Sequence, residues 1–350
     1  MSEDRTPTTR LRIVIASPLE AHHAERIAAF DPETFEVVYE PELLPPPRYA
    51  GDHGGAPMEL DDEQLAIWRG HLRSADILFD FDWHDRVNLL TNAPNVRWVQ
   101  ATSSGIGKFL EKTGMADSEV TFTTAAGVHA VPLAEFAVTG LLHFAKGVPD
   151  LARWQAEHRW ERYTTRQLRG QRVLVVGLGE IGREVARLLH AHGVEVWAMP
   201  RSPRNTLPEH VDRVIARDEL LGALPDVDGL VLACPHTDET HHLIGARELA
   251  ALPETGVVVN VARGQVIDEP ELIEALRKRT IGGAFLDVFE AEPLPDDNPL
   301  WDLPNTLVSP HSASTVEIEN ELIVELFLQN LARFRAGTAL RNVFDAERSY

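Results

Sequence analysis

The chain has 350 residues, more than one hydrophobic core ordinarily serves, so two domains of about 150 residues each are expected. Its hydrophobic share of 44% and charged share of 25% are those of an ordinary globular protein. The formal net charge of −21 disfavours nucleic acids and anionic membranes as partners, because both attract cationic surfaces. The single cysteine, Cys234, excludes an internal disulfide. A polar N-terminus and the lack of any run of about 20 apolar residues predict a cytoplasmic protein.

The first third of the chain alternates short apolar strands with amphipathic helices. Strands are predicted at 12–17, 35–39, 75–81, 96–101 and 120–124, with helices at 20–30 and 61–72. Repeated strand–helix–strand units favour a parallel sheet that is covered by helices on both faces. The proline- and glycine-rich residues 41–57 are expected to form an irregular surface loop.

A second alternating series follows and predicts a Rossmann-type domain. Its strands are predicted at 172–177, 194–199, 229–233, 256–261, 283–288 and 306–309, and the chain enters it along a helix at 132–146. The last helix, about 314–336, has no strand left to cover in this sheet, so we expect it to pack on the first domain. The predicted domains are therefore 1–127 with 316–350, which would bind substrate, and 128–315, which would bind NAD(P).

A glycine triplet directly follows the first strand of the second series. Gly177, Gly179 and Gly182 have G-x-G-x-x-G spacing, and helical periodicity continues to His192. In a strand–turn–helix unit this spacing is typical of a dinucleotide site, where free N–H groups at the start of the helix meet the pyrophosphate. A purely structural glycine turn is the alternative.

Three later segments carry side chains suited to acid–base chemistry and carboxylate binding. Arg263 follows the strand at 256–261, where its guanidinium could bind a carboxylate with two parallel hydrogen bonds. Glu292 lies after the strand at 283–288, and His311 follows Pro310 just past the last strand. An imidazole titrates near neutral pH and can exchange a proton with a substrate. Taken one at a time, each residue could equally be a surface or ion-pairing group. No HExxH motif or comparable cluster predicts a metal site.

Several motifs in this order resemble the D-isomer-specific 2-hydroxyacid dehydrogenase family. They are Gly177-Leu-Gly-Glu-Ile-Gly182, Asn260-Val-Ala-Arg263-Gly, Leu286-Asp287-Val-Phe-Glu-Ala-Glu292-Pro and Pro310-His311. The likeness runs from about residue 75 to 335. It implies an α/β fold with a flavodoxin-like substrate domain and an NAD(P)-binding Rossmann domain separated by a cleft.

The resemblance also implies an activity, the reduction of a 2-keto acid to a D-2-hydroxy acid by a nicotinamide cofactor. In that reaction His311 would be the acid/base, Glu292 would assist it, and Arg263 would orient the substrate. Backbone N–H groups of Ser104, Gly105 and Ile106 would also bind the substrate carboxylate. A homodimer is expected, and glyoxylate or hydroxypyruvate is the default substrate. The alternative is an NAD(H)-sensing binding protein like the corepressors that resemble this family.

The family pattern implies a set of cofactor-binding residues. They are Gly177, Gly179, Glu180, Ile181, Gly182, Pro235, Thr240, Val261, Ala262, Asp287 and His311, to which the sequence adds Arg201, Ser202 and Arg204. No acid stands at the end of the strand at 194–199, where an NAD enzyme binds the ribose 2′-hydroxyl. The arginines there would attract a 2′-phosphate, so NADP is predicted in preference to NAD.

Overall fold

The computed structural model describes residues 10–202 and 206–346, so Arg204 lies outside the described residues. The described chain forms two compact units, one up to Val128 together with residues from Thr315 onwards, and one of His129–Ser314. Each unit contains a parallel sheet with helices, which confirms the predicted α/β fold class. None of the helices in the described ranges has the length and apolarity needed to cross a membrane.

The strands and helices are short and alternate along most of the chain. The strands are β1 (Leu11–Ile15), β2 (Phe35–Val38), β3 (Ile77–Phe79), β4 (Trp98–Gln100), β5 (Thr121–Thr123), β6 (Arg172–Val176), β7 (Glu195–Met199), β8 (Arg213–Val214), β9 (Gly229–Leu232), β10 (Val257–Asn260), β11 (Gly283–Leu286) and β12 (Thr306–Val308). The helices are α1 (Ala21–Ala29), α2 (Asp62–Arg73), α3 (Leu89–Asn92), α4 (Gly107–Thr113), α5 (Ala130–Ala145), α6 (Val148–Ala156), α7 (Glu180–Ala191), α8 (Leu220–Ala223), α9 (Ala246–Ala251), α10 (Glu269–Lys278) and α11 (Glu319–Arg335).

The first unit is built on a five-stranded sheet in the order β2-β1-β3-β4-β5, with every neighbouring pair parallel. This is the flavodoxin-like order, in which the crevice between the first and third strands is the usual ligand site. The C-terminal helix α11 completes its core, because the ring of Phe327 lies 5.2 Å from that of Phe79 and 5.1 Å from that of Trp98. Asn330 of α11 also donates a 3.1 Å hydrogen bond to Gln100.

The second unit is built on a seven-stranded parallel sheet in the order β12-β11-β10-β9-β6-β7-β8. The strand order reverses between β6 and β9, which is where Rossmann folds bind nucleotides beyond the carboxyl ends of the strands. Gly177, which directly follows β6, has a φ of +92°, and a Cβ there would lie 2.7 Å from the carbonyl oxygen of Ala233. Glycine is therefore required for the turns after β6 and β9 to approach each other.

All eleven predicted strands are present, although most are one to three residues shorter than predicted. The two-residue strand β8 was not predicted, because an Arg-Val pair carries no recognisable alternation. Helix α7 begins at Glu180, directly after Gly179, and ends at Ala191.

Candidate active site

The glycine turn between β6 and α7 fits a dinucleotide pyrophosphate. A Cβ on Gly182 would lie 1.9 Å from the carbonyl oxygen of Gly177, so this position holds strand and helix together. A Cβ on Gly179 would meet no described atom within 4 Å, so the chain leaves open space beside the helix start. Gly179 is the N-cap of α7, and no described side chain caps that helix. The N–H groups of Glu180 and Ile181 therefore point out of the N-terminal end of α7, where an anion is favoured.

The charge at this helix start is partly balanced within α7. The carboxylate of Glu180 accepts a 2.8 Å hydrogen bond from Arg183, and both side chains are exposed. Because the pair lies on the solvent side, its ionic contribution to the free energy of unfolding is small.

The turn after β9 is closed by a threonine hydroxyl. Oγ1 of Thr240 donates a 2.7 Å hydrogen bond to the carbonyl of Pro235 and accepts one of 2.8 Å from the N–H of Thr237. Thr240 therefore fixes the shape of the turn that exposes Pro235. The neighbouring Cys234 is buried, and burial raises the pKa of its thiol to about 11, which keeps it neutral.

The turn after β10 carries Arg263 and is braced by Asn260, whose side chain is 1% exposed. Its amide oxygen accepts a 3.0 Å hydrogen bond from the N–H of Ala262, and its amide nitrogen donates one of 3.1 Å to the carbonyl of Arg263. Val261 and Ala262 are buried beside it. A Cβ on Gly264 would lie 1.9 Å from the carbonyl carbon of Phe289, so the turn rests directly on the segment after β11.

His311 and Glu292 form a close hydrogen-bonded pair in the second unit. Nδ1 of His311 lies 2.7 Å from Oε2 of Glu292, and the N–H of Phe289 donates a 3.0 Å hydrogen bond to Oε1 of the same carboxylate. The hydrogen bond to Glu292 raises the pKa of His311, although burial opposes it. Burial acts to raise the pKa of Glu292, but the hydrogen bonds from His311 and Phe289 outweigh it and leave that pKa lowered. The pair therefore favours an imidazolium beside a carboxylate.

Asp287 anchors the segment that carries His311. One oxygen of its carboxylate, Oδ1, accepts hydrogen bonds of 2.6 Å from the hydroxyl of Ser309, 2.9 Å from the N–H of Ser312 and 3.0 Å from the N–H of Ala313. The carbonyl of Asp287 accepts a further bond of 2.9 Å from the N–H of His311. These bonds hold His311 at a φ of +52°, a conformation that residues other than glycine rarely adopt.

Arg263 acts electrostatically on both members of the pair. Its charge helps to lower the pKa of Glu292 and opposes the rise in the pKa of His311. The guanidinium is half-buried, and Nη1 donates a 2.7 Å hydrogen bond to the carbonyl of Ala262. The second unit thus brings Arg263, Glu292, His311 and Asp287 together from three strand ends.

The remaining predicted site residues belong to other segments of the chain. Ser104 and Gly105 are exposed in the first unit after β4, and Ile106 is buried as the N-cap of α4. Arg201 and Ser202 are exposed just after β7. Within residues 10–202 and 206–346, no three His, Cys, Asp or Glu side chains are grouped so as to hold a metal ion.

Two positioning residues were not among the predicted site residues. Asn260 lies in a motif that the sequence singles out, but its role depends on a backbone turn that the spacing does not describe. Ser309 stands two residues before His311, and only the fold brings it to Asp287.

The chain resembles known proteins over most of its length. The family model for the D-isomer specific 2-hydroxyacid dehydrogenase, NAD binding domain, matches residues 138–313. Glyoxylate/hydroxypyruvate reductase HPR3 of Arabidopsis thaliana is 33% identical over 257 residues, which are 72% of this chain and 77% of that protein. Glyoxylate reductase of Aeropyrum pernix is 30% identical over 286 residues, 79% of this chain and 84% of that protein. The D-isomer specific 2-hydroxyacid dehydrogenase of Xanthobacter autotrophicus Py2, solved with NADPH and MES, is 29% identical with a TM-score of 0.77, covering 98% of this chain and 100% of that one.

The chain belongs to the D-isomer specific 2-hydroxyacid dehydrogenase family, which confirms the resemblance that its motifs predicted. It is an NAD(P)-dependent dehydrogenase, and the predicted nicotinamide cofactor is likewise confirmed. The alternative of a nucleotide-sensing binding protein is not favoured, since these relatives are named as reductases and dehydrogenases.

Two alanine substitutions in the glycine turn are expected to separate folding from cofactor binding. Gly182→Ala forces strand and helix apart and should lower the free energy of unfolding by about 1–3 kcal/mol. In Gly179→Ala the new methyl group would contact no described atom, so the unfolding temperature should stay close to wild type. The same methyl group would occupy the space beside the helix start and should weaken NADPH binding. Thermal unfolding and NADPH titration measure the two effects. Unchanged NADPH affinity in Gly179→Ala would contradict this assignment of the turn.

Proposed function

We propose that the protein reduces a small 2-keto acid to the D-2-hydroxy acid, with His311 as the proton donor. The 2.7 Å hydrogen bond between Nδ1 of His311 and Oε2 of Glu292 carries the proposal. With Nδ1 committed to Glu292, Nε2 is the nitrogen that can deliver a proton to a substrate. The pKa of His311 is raised above its ordinary value of 6.5 by the hydrogen bond to Glu292, which favours the imidazolium, the form that a proton donor requires.

Reduction adds a hydride to the keto carbon and a proton to the keto oxygen. Bound NADPH or NADH supplies the hydride. His311 donates the proton from Nε2, which turns the carbonyl oxygen into the product hydroxyl and leaves a neutral imidazole. Glu292 stabilises the imidazolium before transfer and fixes the orientation of the ring throughout. In the reverse direction the neutral imidazole accepts the hydroxyl proton.

The substrate carboxylate requires cationic and N–H partners. Arg263 is the proposed partner in the second unit, since its guanidinium is half-buried and its charge already reaches His311 and Glu292. The backbone of Ser104, Gly105 and Ile106 is the proposed partner in the first unit. A carboxylate held by Arg263 would direct the adjacent keto group towards the imidazole.

Glyoxylate and hydroxypyruvate are the proposed substrate class. Two relatives that share about a third of their residues with this chain are named as reductases of these acids.

Replacing the imidazole should separate turnover from cofactor binding. His311→Gln is expected to lower kcat about 10²- to 10⁴-fold, because the proton donor is lost, while the Kd for NADPH stays close to wild type. Absorbance at the nicotinamide band with glyoxylate or hydroxypyruvate measures turnover, and fluorescence titration measures binding. His192→Gln is the matched control, because the ring of this exposed histidine bonds the carbonyl of Leu188 at the end of α7. A wild-type protein that binds NADPH without reducing any 2-keto acid would overturn the proposed reaction.

We further propose that the cofactor is NADPH rather than NADH. The residues at the end of β7, Met199-Pro-Arg201-Ser202, include no acid, and Arg201 and Ser202 are exposed there. A carboxylate at this edge would repel a 2′-phosphate, whereas a guanidinium and a hydroxyl would bind it. The Xanthobacter relative, whose structure contains NADPH, is consistent with this preference.

Cofactor preference is tested by the ratio of kcat/KM with NADPH to kcat/KM with NADH. Arg201→Ala is expected to lower this ratio about tenfold or more, the size of one lost charge-assisted hydrogen bond. Arg187→Ala serves as the control, because this exposed arginine of α7 already pairs with Glu184. A wild-type preference for NADH, or an unchanged ratio in Arg201→Ala, contradicts the assignment.

A further inference from the structure

Asp80 occupies an unusual position at the carboxyl edge of the first sheet. It directly follows β3, next to the crevice between β1 and β3, and its side chain is only 4% exposed. Its backbone has a φ of +68°, in the left-handed region that residues with a Cβ rarely adopt. Such strained residues persist only where the surrounding structure holds them, and they concentrate at functional sites.

Within residues 10–202 and 206–346, the hydrogen bonds to the carboxylate of Asp80 come from Thr102. Oδ2 accepts a 2.9 Å hydrogen bond from the hydroxyl of Thr102, and Oδ1 lies 3.5 Å from the N–H of the same residue. No ion pair to Asp80 is found in the described part of the chain. A buried carboxylate without a cation is unfavourable unless hydrogen bonds compensate it, so the bonds to Thr102 are the reason this side chain can be accommodated.

Thr102 begins the turn that leads to Ser104, Gly105 and Ile106. The residues on either side of Thr102 are also fixed, since the N–H of Ala101 donates to the carbonyl of Thr123 (2.8 Å) and the carbonyl of Ser103 accepts from the N–H of Ala125 (3.1 Å). Thr102 is buried at 4% exposure, whereas residues 103–105 are exposed. Asp80 thus holds the buried start of an exposed turn.

We propose that Asp80, acting through Thr102, is a positioning residue that fixes the backbone N–H groups of residues 104–106 for the substrate carboxylate. The inference rests on the proposed function, because it explains how the turn that would bind the substrate carboxylate in that reaction is held in place. Displacing a binding turn by a fraction of an ångström weakens the bonds to a bound carboxylate and leaves the hydrogen bond between His311 and Glu292 intact. Loss of this positioning is therefore expected to raise KM for the keto acid and to leave the Kd for NADPH unchanged.

Two substitutions at Thr102 test the proposal. Thr102→Val keeps the volume and removes the hydroxyl, and it is expected to raise KM for glyoxylate and hydroxypyruvate about tenfold with a smaller change in kcat. Thr102→Ser restores the hydroxyl and should return KM to within about twofold of wild type. The Kd for NADPH, measured by fluorescence titration, should remain at the wild-type value in both.

Asp82, which lies two residues after Asp80, supplies the matched control. Asp82 is 1% exposed, like Asp80 deeply buried, but it accepts hydrogen bonds from Trp68, Asn92 and the N–H of His84, none of which is in the turn. Asp82→Asn is expected to lower the unfolding temperature with KM unchanged. Asp80→Asn keeps the size and the tolerance of a left-handed backbone but leaves a single acceptor oxygen for the two donors of Thr102, its hydroxyl and its N–H, so it should raise KM in the same direction as Thr102→Val.

The outcomes distinguish the inference from the function on which it rests. A wild-type protein that reduces these acids, combined with unchanged KM in Thr102→Val and Asp80→Asn, contradicts the positioning role and leaves the reaction standing. An equal rise of KM in Asp82→Asn also contradicts it, because the effect would then follow from stability alone. Absence of wild-type turnover contradicts both. If Thr102→Val does not fold, the proposal is tested by comparing KM for the keto acid in Asp80→Asn with KM in Asp82→Asn.

Discussion

The hydrogen bond between Nδ1 of His311 and Oε2 of Glu292, 2.7 Å long, depends on a backbone that few residues adopt. His311 has a left-handed φ, and Asp287 holds it there by accepting bonds from both sides of the histidine. Because β11 and β12 are adjacent and parallel, their carboxyl ends supply Asp287 and His311 at the same edge of the sheet. Asp287 thus organises the turn that holds His311, whereas Glu292, a few residues later, raises the pKa of His311.

The cofactor and acid–base parts of the second unit follow from one sheet order. Reversal of the order between β6 and β9 opens the edge at which Gly177 and Gly179 form the proposed pyrophosphate turn. The neighbouring strand β10 ends in the turn that Asn260 braces and that carries Arg263. Both sites are therefore placed by strand ends, which are more rigid than free loops. In the first unit Asp80 occupies a comparable strand end, and its carboxylate likewise organises a turn.

The fold and the candidate site could be predicted from the sequence wherever a periodic pattern or a motif shared with the family marks them. Buried parallel strands are continuous apolar runs, so eleven of the twelve were predicted, and β8 was missed because two residues form no run. Gly177, Arg263, Glu292 and His311 were singled out as site residues because they lie in motifs whose order and spacing resemble those of the family. Asp80 could not be found this way, because its importance lies in a φ angle and in a contact with Thr102, twenty-two positions later. Long-range hydrogen bonds leave no periodic signal.

The protonation of His311 in the wild-type protein and in Glu292→Gln is the most direct test of the central claim. NMR titration of ring-labelled histidine should give His311 a pKa above the ordinary value of 6.5 in the wild type, because the carboxylate favours the imidazolium. Glu292→Gln should lower that pKa, while His143, whose pKa burial lowers, should not move. Reduction by the wild type should slow as the pH rises through the pKa of His311, since the proton is then lost. The same pKa of His311 with and without the carboxylate would contradict the account.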